Sequence, residues 1–148
     1  MNFTQIGINV QHADQVKDSN FSRLVEDSQH RIISMSLIHG MLYVNSNLSK
    51  IHLRDYTKSL FEKLQSSYNK KNIKLKLNVP KEFCFEIDKM IPIGLMMNEV
   101  FTNSFKYAFD GKPGEISISI VKNSLIIADN GKGIPAKISK NSNHNFKE

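Results

Sequence analysis

The spacing of apolar residues changes from a helical to a strand-like period at residues 69–72, and no other sequence feature limits the possible folds as strongly. Before this point, apolar side chains recur every three or four residues, which is typical of helices with one buried face. Beyond it, residues 73–79 alternate between apolar and polar side chains, which predicts a strand with one solvated face. The pattern therefore predicts an α+β chain, helical first and mixed α/β afterwards.

The same patterns give approximate bounds for the individual elements. Ser19 or Asn20 is suited to cap the first helix, and the short connection at residues 122–124 predicts a hairpin between the last two strands. The first helix carries an apolar stripe from Phe21 to Leu42, which predicts concentration-dependent dimerisation. The predicted helices span about 21–43, 53–68 and 90–109, and the predicted strands span 73–79, 83–87, 116–120 and 125–128.

Cysteine content and hydropathy bear on the cellular location. Cys84 is the only cysteine, which excludes an intrachain disulfide and a cysteine-based metal site and fits a reducing compartment. The longest apolar run, residues 91–97, is too short to cross a bilayer, and the first residues lack the pattern of a secretory signal. We therefore expect a cytoplasmic protein with no membrane insertion by this chain.

The net charge of +6 is concentrated in one part of the sequence. Residues 50–90 contain ten of the twenty lysines and arginines. Aromatic residues are not interleaved with these charges as they would be in a surface that stacks nucleic-acid bases. We interpret the charge as a solvated basic face and predict no nucleic-acid partner.

Three polar residues share one face of the predicted helix at 90–109. At 100° per residue, Glu99, Asn103 and Lys106 fall within about 60° of each other. A carboxylate, an amide and an ammonium on one stripe suit a hydrated Mg²⁺ and phosphate groups. An amphipathic helix with an exposed Glu–Lys pair is the alternative interpretation of this stripe.

A glycine-containing segment, Asp129-Asn130-Gly131-Lys132-Gly133, follows the last predicted strand directly. Glycines permit positive φ angles and the close approach of a ligand. A buried carboxylate beside them can accept a hydrogen bond from an exocyclic amine such as that of adenine. A simple turn after the strand is the alternative.

These segments together resemble known motifs. Asn98-Glu99-x-x-x-Asn103-x-x-Lys106-Tyr107 resembles the N box, and Asp129-x-Gly131-x-Gly133 the first glycine box, of the ATP-binding domain of sensor histidine kinases and the wider Bergerat ATPases. Residues 28–43 resemble the segment after the phosphoacceptor helix in histidine kinases related to the HWE kinases, and residues 91–95 (Ile-Pro-x-Gly-Leu) fit that subfamily too. The likeness covers roughly residues 20–135, with its motifs in the family's order.

The resemblance implies ATP and Mg²⁺ as cofactors. Asn103 would ligate Mg²⁺, and Glu99 would bind a metal-bound water or act as a base. Most sensor kinases carry Asn at the position of Glu99, whereas a Glu there is typical of the hydrolytic members, in which it orients or activates water. Glu99 is thus the predicted catalytic residue, and it shares the predicted metal site with Asn103.

The resemblance also assigns residues to the nucleotide itself. Lys106 and Tyr107 would contact the nucleotide, and Asp129 would bind the adenine amine. Gly131 and Gly133 would allow the backbone to pack on the base.

A domain organisation follows from the same likeness. Residues 1–48 would be a remnant of the helical hairpin used for dimerisation and phosphotransfer. Residues 49–136 would form a partial ATP-binding domain, an α/β sandwich whose mixed sheet is covered by helices. Residues 137–148 are expected to be a disordered tail. The family's second glycine box and ATP lid are not found before Glu148, so we expect a domain truncated before the lid.

The phosphoacceptor histidine is expected upstream of this sequence. Aligning Ile8-Asn9-Val10-Gln11 with the end of the acceptor helix places the acceptor before Met1. His30 is the alternative, since His30-Arg31-Ile32 partly resembles the acceptor motif, but Ser34-Met35 replaces the amide pair expected after it. His39 lies near the apolar stripe and is predicted to be packed or hydrogen-bonded.

Two functions follow as hypotheses. In the first, the chain is a fragment of a two-component sensor histidine kinase, which in its intact form transfers the γ-phosphoryl group of ATP to a histidine and then to the receiver domain of a response regulator. The fragment is expected to form a homodimer through its N-terminal helices and to be inactive alone. In the alternative, the chain is a non-catalytic dimerisation or interaction module with a degenerate kinase-like domain.

Overall fold

The computed structural model of the chain describes residues 19–44 and 50–133. The expected disordered tail at 137–148 and the segment at 8–11 lie outside the described residues. In chain order, the elements are helix α1 (Ser19–Val44), strand β1 (Lys50–His52), helix α2 (Leu53–Ser67), strands β2 (Ile73–Asn78) and β3 (Cys84–Glu86), helix α3 (Ile87–Asn103), a π-helical turn (Ser104–Ala108), and strands β4 (Gly114–Val121) and β5 (Ser124–Asp129).

The strands form two sheets within the described part of the chain. The larger sheet has the order β2-β4-β5, with β2 parallel to β4 and β4 antiparallel to β5. The predicted hairpin of β4 and β5 is confirmed, and Lys122 in its turn adopts a positive φ of 54°. The short strands β1 and β3 pair antiparallel. The sequence did not predict β1, because a strand of three residues is too short to show an alternating pattern.

The core lies between one face of the larger sheet and the helices α2 and α3. Ile116 and Ile118 of β4 are fully buried, and their neighbours in β2 are Leu75 and Leu77. Lys74 and the other polar residues of β2 are exposed, which confirms the predicted solvated face. Aromatic rings from α2 and α3 cover the buried face of the sheet, and helices on a mixed sheet are the predicted α+β arrangement.

Helix α1 packs on α2 and α3 through a face that is partly polar. Its buried residues are His30, Ser34 and Ile38. Much of the predicted apolar stripe stays on the surface, including Leu24, whose exposed fraction is 64%. The prediction that His39 is packed is wrong, because the buried row passes through Ile38 and the next residue along the helix points about 100° away, into solvent.

A glycine allows α3 to approach its neighbours closely. A Cβ atom at Gly94 would overlap the hydroxyl of Tyr56 in α2 and would crowd Ile38 in α1. Asn98 and Thr102 follow Gly94 on the same stripe of α3 and are also buried. The close contact between the three helices therefore depends on a small residue at position 94, and its surroundings are unusually polar.

Candidate functional site

The two motifs, distant in sequence, are joined by a hydrogen bond between their side chains. The hydroxyl of Ser104, which follows Asn103 at the end of α3, donates to Oδ2 of Asp129 at 3.0 Å. The backbone N–H of Gly131 donates to Oδ1 of the same carboxylate, also at 3.0 Å. The Asp129 carboxylate is therefore oriented at both of its oxygens, but the expectation that it is buried is wrong, because it lies exposed at the end of the last strand.

The π-helical turn at Ser104–Ala108 interlocks with the glycine-containing segment. The backbone N–H of Lys132 donates to the carbonyl of Ala108 at 2.8 Å. Gly131 packs so closely on Ala108 that a Cβ atom would overlap its carbonyl oxygen. Gly131 is thus required by contact within the chain, and its predicted approach to a base stays a prediction. Gly133 has a φ of 73°, a conformation that favours glycine.

The polar stripe of α3 faces charged residues of α1. The guanidinium of Arg31 donates through Nε and Nη2 to Oε1 of Glu99, at 2.9 and 2.7 Å. Nζ of Lys106 lies 3.2 Å from Oδ1 of Asp27 and 3.8 Å from Oε2 of Glu26. Helix α1 thus engages the two charged members of the polar stripe.

Lys106 is held in a partly enclosed position. Its side chain is 17% exposed, and its ammonium lies 5.7 Å from the centre of the Tyr68 ring. Burial by itself lowers the pKa of Lys106, but the hydrogen bond to Asp27 and the neighbouring charges outweigh burial, so the pKa is raised. Lys106 therefore carries its positive charge throughout the neutral range.

Asn103 and Tyr107, two further predicted site residues, also face solvent. Both are exposed, so the amide of Asn103 and the ring of Tyr107 are accessible to a ligand. Three surface grooves of about 300, 690 and 520 Å³ lie elsewhere on the described surface, and no predicted site residue lines them. These grooves therefore do not contribute to the predicted site.

A metal ion could be held here only with help from a ligand. Across residues 19–44 and 50–133, no group of three or more His, Cys, Asp or Glu side chains is placed to hold a metal ion. A hydrated Mg²⁺ on nucleotide phosphates needs only one or two protein oxygens. The accessible amide of Asn103 fits that second arrangement and not a closed metal site.

His30 is buried between α1 and the C-terminal end of α2, with an exposed fraction of 3%. Its Nε2 lies 3.1 Å from the hydroxyl of Ser67, and its Nδ1 lies 3.0 Å from the hydroxyl of Tyr68. Phosphorylation of either nitrogen would require the loss of a hydrogen bond and exposure of the ring. This environment does not favour His30 as the phosphoacceptor.

The burial of His30 predicts a pH dependence of stability. Burial lowers the pKa of His30 below its ordinary value of 6.5, and the positive charge of Lys106 acts in the same direction, against the opposing charges of Glu26 and Asp27. As the pH falls below about 6.5, His30 therefore binds a proton in the unfolded chain before it does so in the folded chain. The free energy of unfolding decreases in this range. Urea unfolding should show this decrease in the wild type and a smaller one in His30→Gln.

The matched control for this prediction is on the same helix. His39→Gln removes an exposed histidine and should leave the pH dependence as in the wild type. An equal pH dependence in His30→Gln and the wild type would contradict the prediction.

Sequence reasoning missed the residues of α1 that contact the site. Glu26, Asp27 and Arg31 lie on the surface of a helix whose partner cannot be read from its own sequence. Ser104 was also missed, although it directly follows Asn103 in the N-box-like segment. Its hydroxyl gains significance only from the position of Asp129 in space.

A family sequence profile described as "Histidine kinase" matches residues 7–68, which include α1 and α2. No curated protein matches the chain. Within the described residues, no helix is long and apolar enough to cross a membrane.

Two similar solved structures come from Erythrobacter litoralis EL346. One is the histidine kinase domain of a blue-light activated histidine kinase, with a TM-score of 0.62 and 16% identity over 90% of this chain and 75% of that one. The other is the blue-light activated histidine kinase itself, with a TM-score of 0.63 and 18% identity over 93% of this chain; only half of that longer chain is spanned. Residues 7–68 are therefore similar to the histidine kinase family, and the chain has the fold of a histidine kinase domain, as the sequence motifs predict.

Proposed function

We propose that the chain is part of a two-component sensor histidine kinase and binds Mg-ATP where the end of α3 meets the glycine-containing segment. The observation that carries the proposal is the hydrogen bond from Ser104 to Asp129, because it joins the N-box-like and glycine-box-like motifs at one place. Mg-ATP in the intact protein supplies the phosphoryl group for a histidine, and from there for a response regulator receiver domain. These partners and a cytoplasmic location are part of the proposal.

The residues have complementary roles in this proposal. The Asp129 carboxylate accepts a hydrogen bond from the exocyclic amine of adenine, and Tyr107 contacts the nucleotide from the opposite motif. Asn103 holds the phosphate-bound Mg²⁺, which neutralises phosphate charge when present. Lys106 adds a positive charge beside the phosphates, once the nucleotide has displaced Asp27.

Glu99 has a proposed role that depends on α1. A carboxylate in this position would orient a water near a bound metal ion or act as a base. In the present structure, Arg31 holds one of its oxygens. Glu99 is therefore available for that role only after Arg31 has moved away.

The test is a calorimetric titration of Mg-ADP into the wild type and Asp129→Asn. The substitution preserves shape but removes the charge and one acceptor, so we expect the affinity to fall about tenfold, as for a hydrogen bond to a charged group. Asp110→Asn is the matched control, because Asp110 lies in the neighbouring turn, pairs with Lys132 and also carries one negative charge. Equal weakening in both variants, or no binding by the wild type, would refute the assignment.

A homodimer through α1 is the second part of the proposal. Leu24, Met35 and Tyr43 leave apolar surface exposed along this helix. Light scattering should therefore give a mass that rises from monomer to dimer with concentration, and Leu24→Glu with Met35→Glu should weaken the association. A monomeric mass at every concentration would count against the dimer.

A non-catalytic interaction module remains the second candidate function. The observation that favours it is the engagement of Glu99 and Lys106 by α1, which leaves neither charge for a nucleotide. If Mg-ADP fails to bind both the wild type and a variant freed from these ion pairs, the module is the better description.

A further inference from the structure

The hydroxyl of Ser104 can act only as a hydrogen-bond donor toward Asp129. Ser104 is only 5% exposed, and its Oγ lies 3.0 Å from Oδ2 of Asp129. An ionised carboxylate can only accept hydrogen bonds, so the proton of the hydroxyl must point toward Asp129. The oxygen of Ser104 has no further proton to offer to a ligand.

The orientation of Asp129 depends on two donors. Asp129 is exposed at the end of β5, where a carboxylate on its own would rotate freely. Ser104 holds one oxygen, and the backbone N–H of Gly131 holds the other. Hydrogen bonds to a charged group are strong, so together they fix the plane of the carboxylate. Each oxygen retains a lone pair for a ligand.

The position of Ser104 is itself rigid. It lies where α3 passes into the π-helical turn, and the next residue, Phe105, is buried. The ring of Phe105 packs 5.4 Å from that of Phe61 and 6.0 Å from that of Tyr68. A hydroxyl anchored on such packing can hold a flexible partner in one geometry.

We propose that Ser104 is a positioning residue that makes the base site selective for 6-amino purines over 6-oxo purines. The inference rests on the proposed nucleotide function. Ser104 directs the Asp129 carboxylate so that only hydrogen-bond acceptors face the 6-position of the base. A 6-amino group donates to this carboxylate, whereas a 6-oxo group would place its own lone pairs against it.

The experiment compares Mg-ADP with Mg-IDP, whose base carries an oxo group in place of the amine. We expect the wild type to bind Mg-ADP about tenfold more tightly than Mg-IDP, as for one well-placed hydrogen bond to a charged group. In Ser104→Ala the affinity for Mg-ADP should fall about fivefold while that for Mg-IDP stays the same, so the preference narrows. Ser104→Thr, which keeps the hydroxyl, should restore much of the preference.

Ser117→Ala is the matched control. Ser117 lies on β4, and its hydroxyl donates to the carbonyl of Ala128, next to Asp129, at 3.4 Å. Removing this hydroxyl should leave the preference between the two nucleotides unchanged. Thermal unfolding of every variant separates a loss of folding from a loss of selectivity.

The outcomes distinguish the two levels of the proposal. If the wild type binds Mg-ADP but Ser104→Ala retains the full preference, Ser104 has no positioning role. An equal loss of affinity for both nucleotides in Ser104→Ala would show that Ser104 only stabilises the packing of β5 against α3. That result also overturns the inference. No binding of Mg-ADP by the wild type overturns the proposed function and this inference with it.

Discussion

The double variant Glu26→Gln/Asp27→Asn should bind Mg-ADP about thirtyfold more tightly than the wild type. In the structure, these carboxylates of α1 lie 3.8 and 3.2 Å from the ammonium of Lys106. A nucleotide must displace them before its phosphates can contact Lys106, and until then their charges repel the phosphates. The amides keep the shape of both side chains and remove the competing charge. Calorimetric titration measures the change.

The matched control changes the same net charge at another place. Asp55→Asn/Glu62→Gln replaces two exposed acids of α2, neither of which forms an ion pair within the described residues. This control should alter the affinity only slightly, through the overall field of the protein. Equal effects in both double variants would show that total charge, and not competition for Lys106, determines the affinity.

A second measurement tests whether the nucleotide weakens the docking of α1. Coupling between two binding events is reciprocal, so a nucleotide that displaces α1 from Lys106 must weaken the docking of α1. Mg-ADP should therefore accelerate hydrogen exchange in the backbone amides of α1. Unchanged or slower exchange would show that α1 and the nucleotide bind independently.

The polarity of the contact surface explains why α1 can be displaced. Its buried face includes His30 and Ser34, and the facing stripe of α3 includes Asn98 and Thr102. Among the described residues, Asn98 Oδ1 is buried without a hydrogen-bond partner. Such a group costs about 1–3 kcal/mol of stability, so this surface holds α1 less firmly than an apolar surface of the same size would.

Phe101→Ala should lower the free energy of unfolding by about 3–5 kcal/mol. Phe101 is fully buried, and its ring meets that of Phe61 edge to face with the centres 5.6 Å apart. The substitution removes apolar contact area and leaves a cavity between α2 and α3. A loss of this size is a large fraction of the about 5–15 kcal/mol that stabilises a typical domain. Urea unfolding provides the measurement.

Met96→Ala is the control on the same helix. Met96 is nearly half exposed, so its truncation should change the free energy of unfolding by less than about 0.5 kcal/mol. If Phe101→Ala cost no more than Met96→Ala, the core between α2 and α3 would not be packed as described. Because Phe101 lies on the face of α3 away from Asn103, its loss should affect folding more than any ligand contact.

The sequence predicted most element bounds within a few residues. The helix predicted at 21–43 spans Ser19–Val44, and the strand predicted at 73–79 spans Ile73–Asn78. The helix predicted at 90–109 begins at Ile87 and widens into the π-helical turn at residue 104. A widened turn was not predicted, because the spacing of apolar residues does not distinguish it from an α-helical turn; in the structure, its Ala108 contacts Gly131 and Lys132.

The residues of the polar stripe were predictable from the sequence, but their contacts with α1 were not. The stripe of Glu99, Asn103 and Lys106 follows from helical geometry alone. Arg31 and Asp27 could not be added to it, because one sequence does not show which face of α1 turns toward α3. The same limit explains the error at His39, whose exposure depends on the rotation of α1 about its own axis.

The sequence by itself determined the order of the helices and the longer strands and the presence of the two motifs, because these depend on periodicity and on residue types close together in the chain. Only the tertiary structure decided that α1 pairs with Glu99 and Lys106, that His30 is buried, and that Ser104 orients Asp129. These contacts join residues 25 to 79 positions apart. Their geometry depends on how the packed elements rotate and approach one another, and local periodicity carries no information about that.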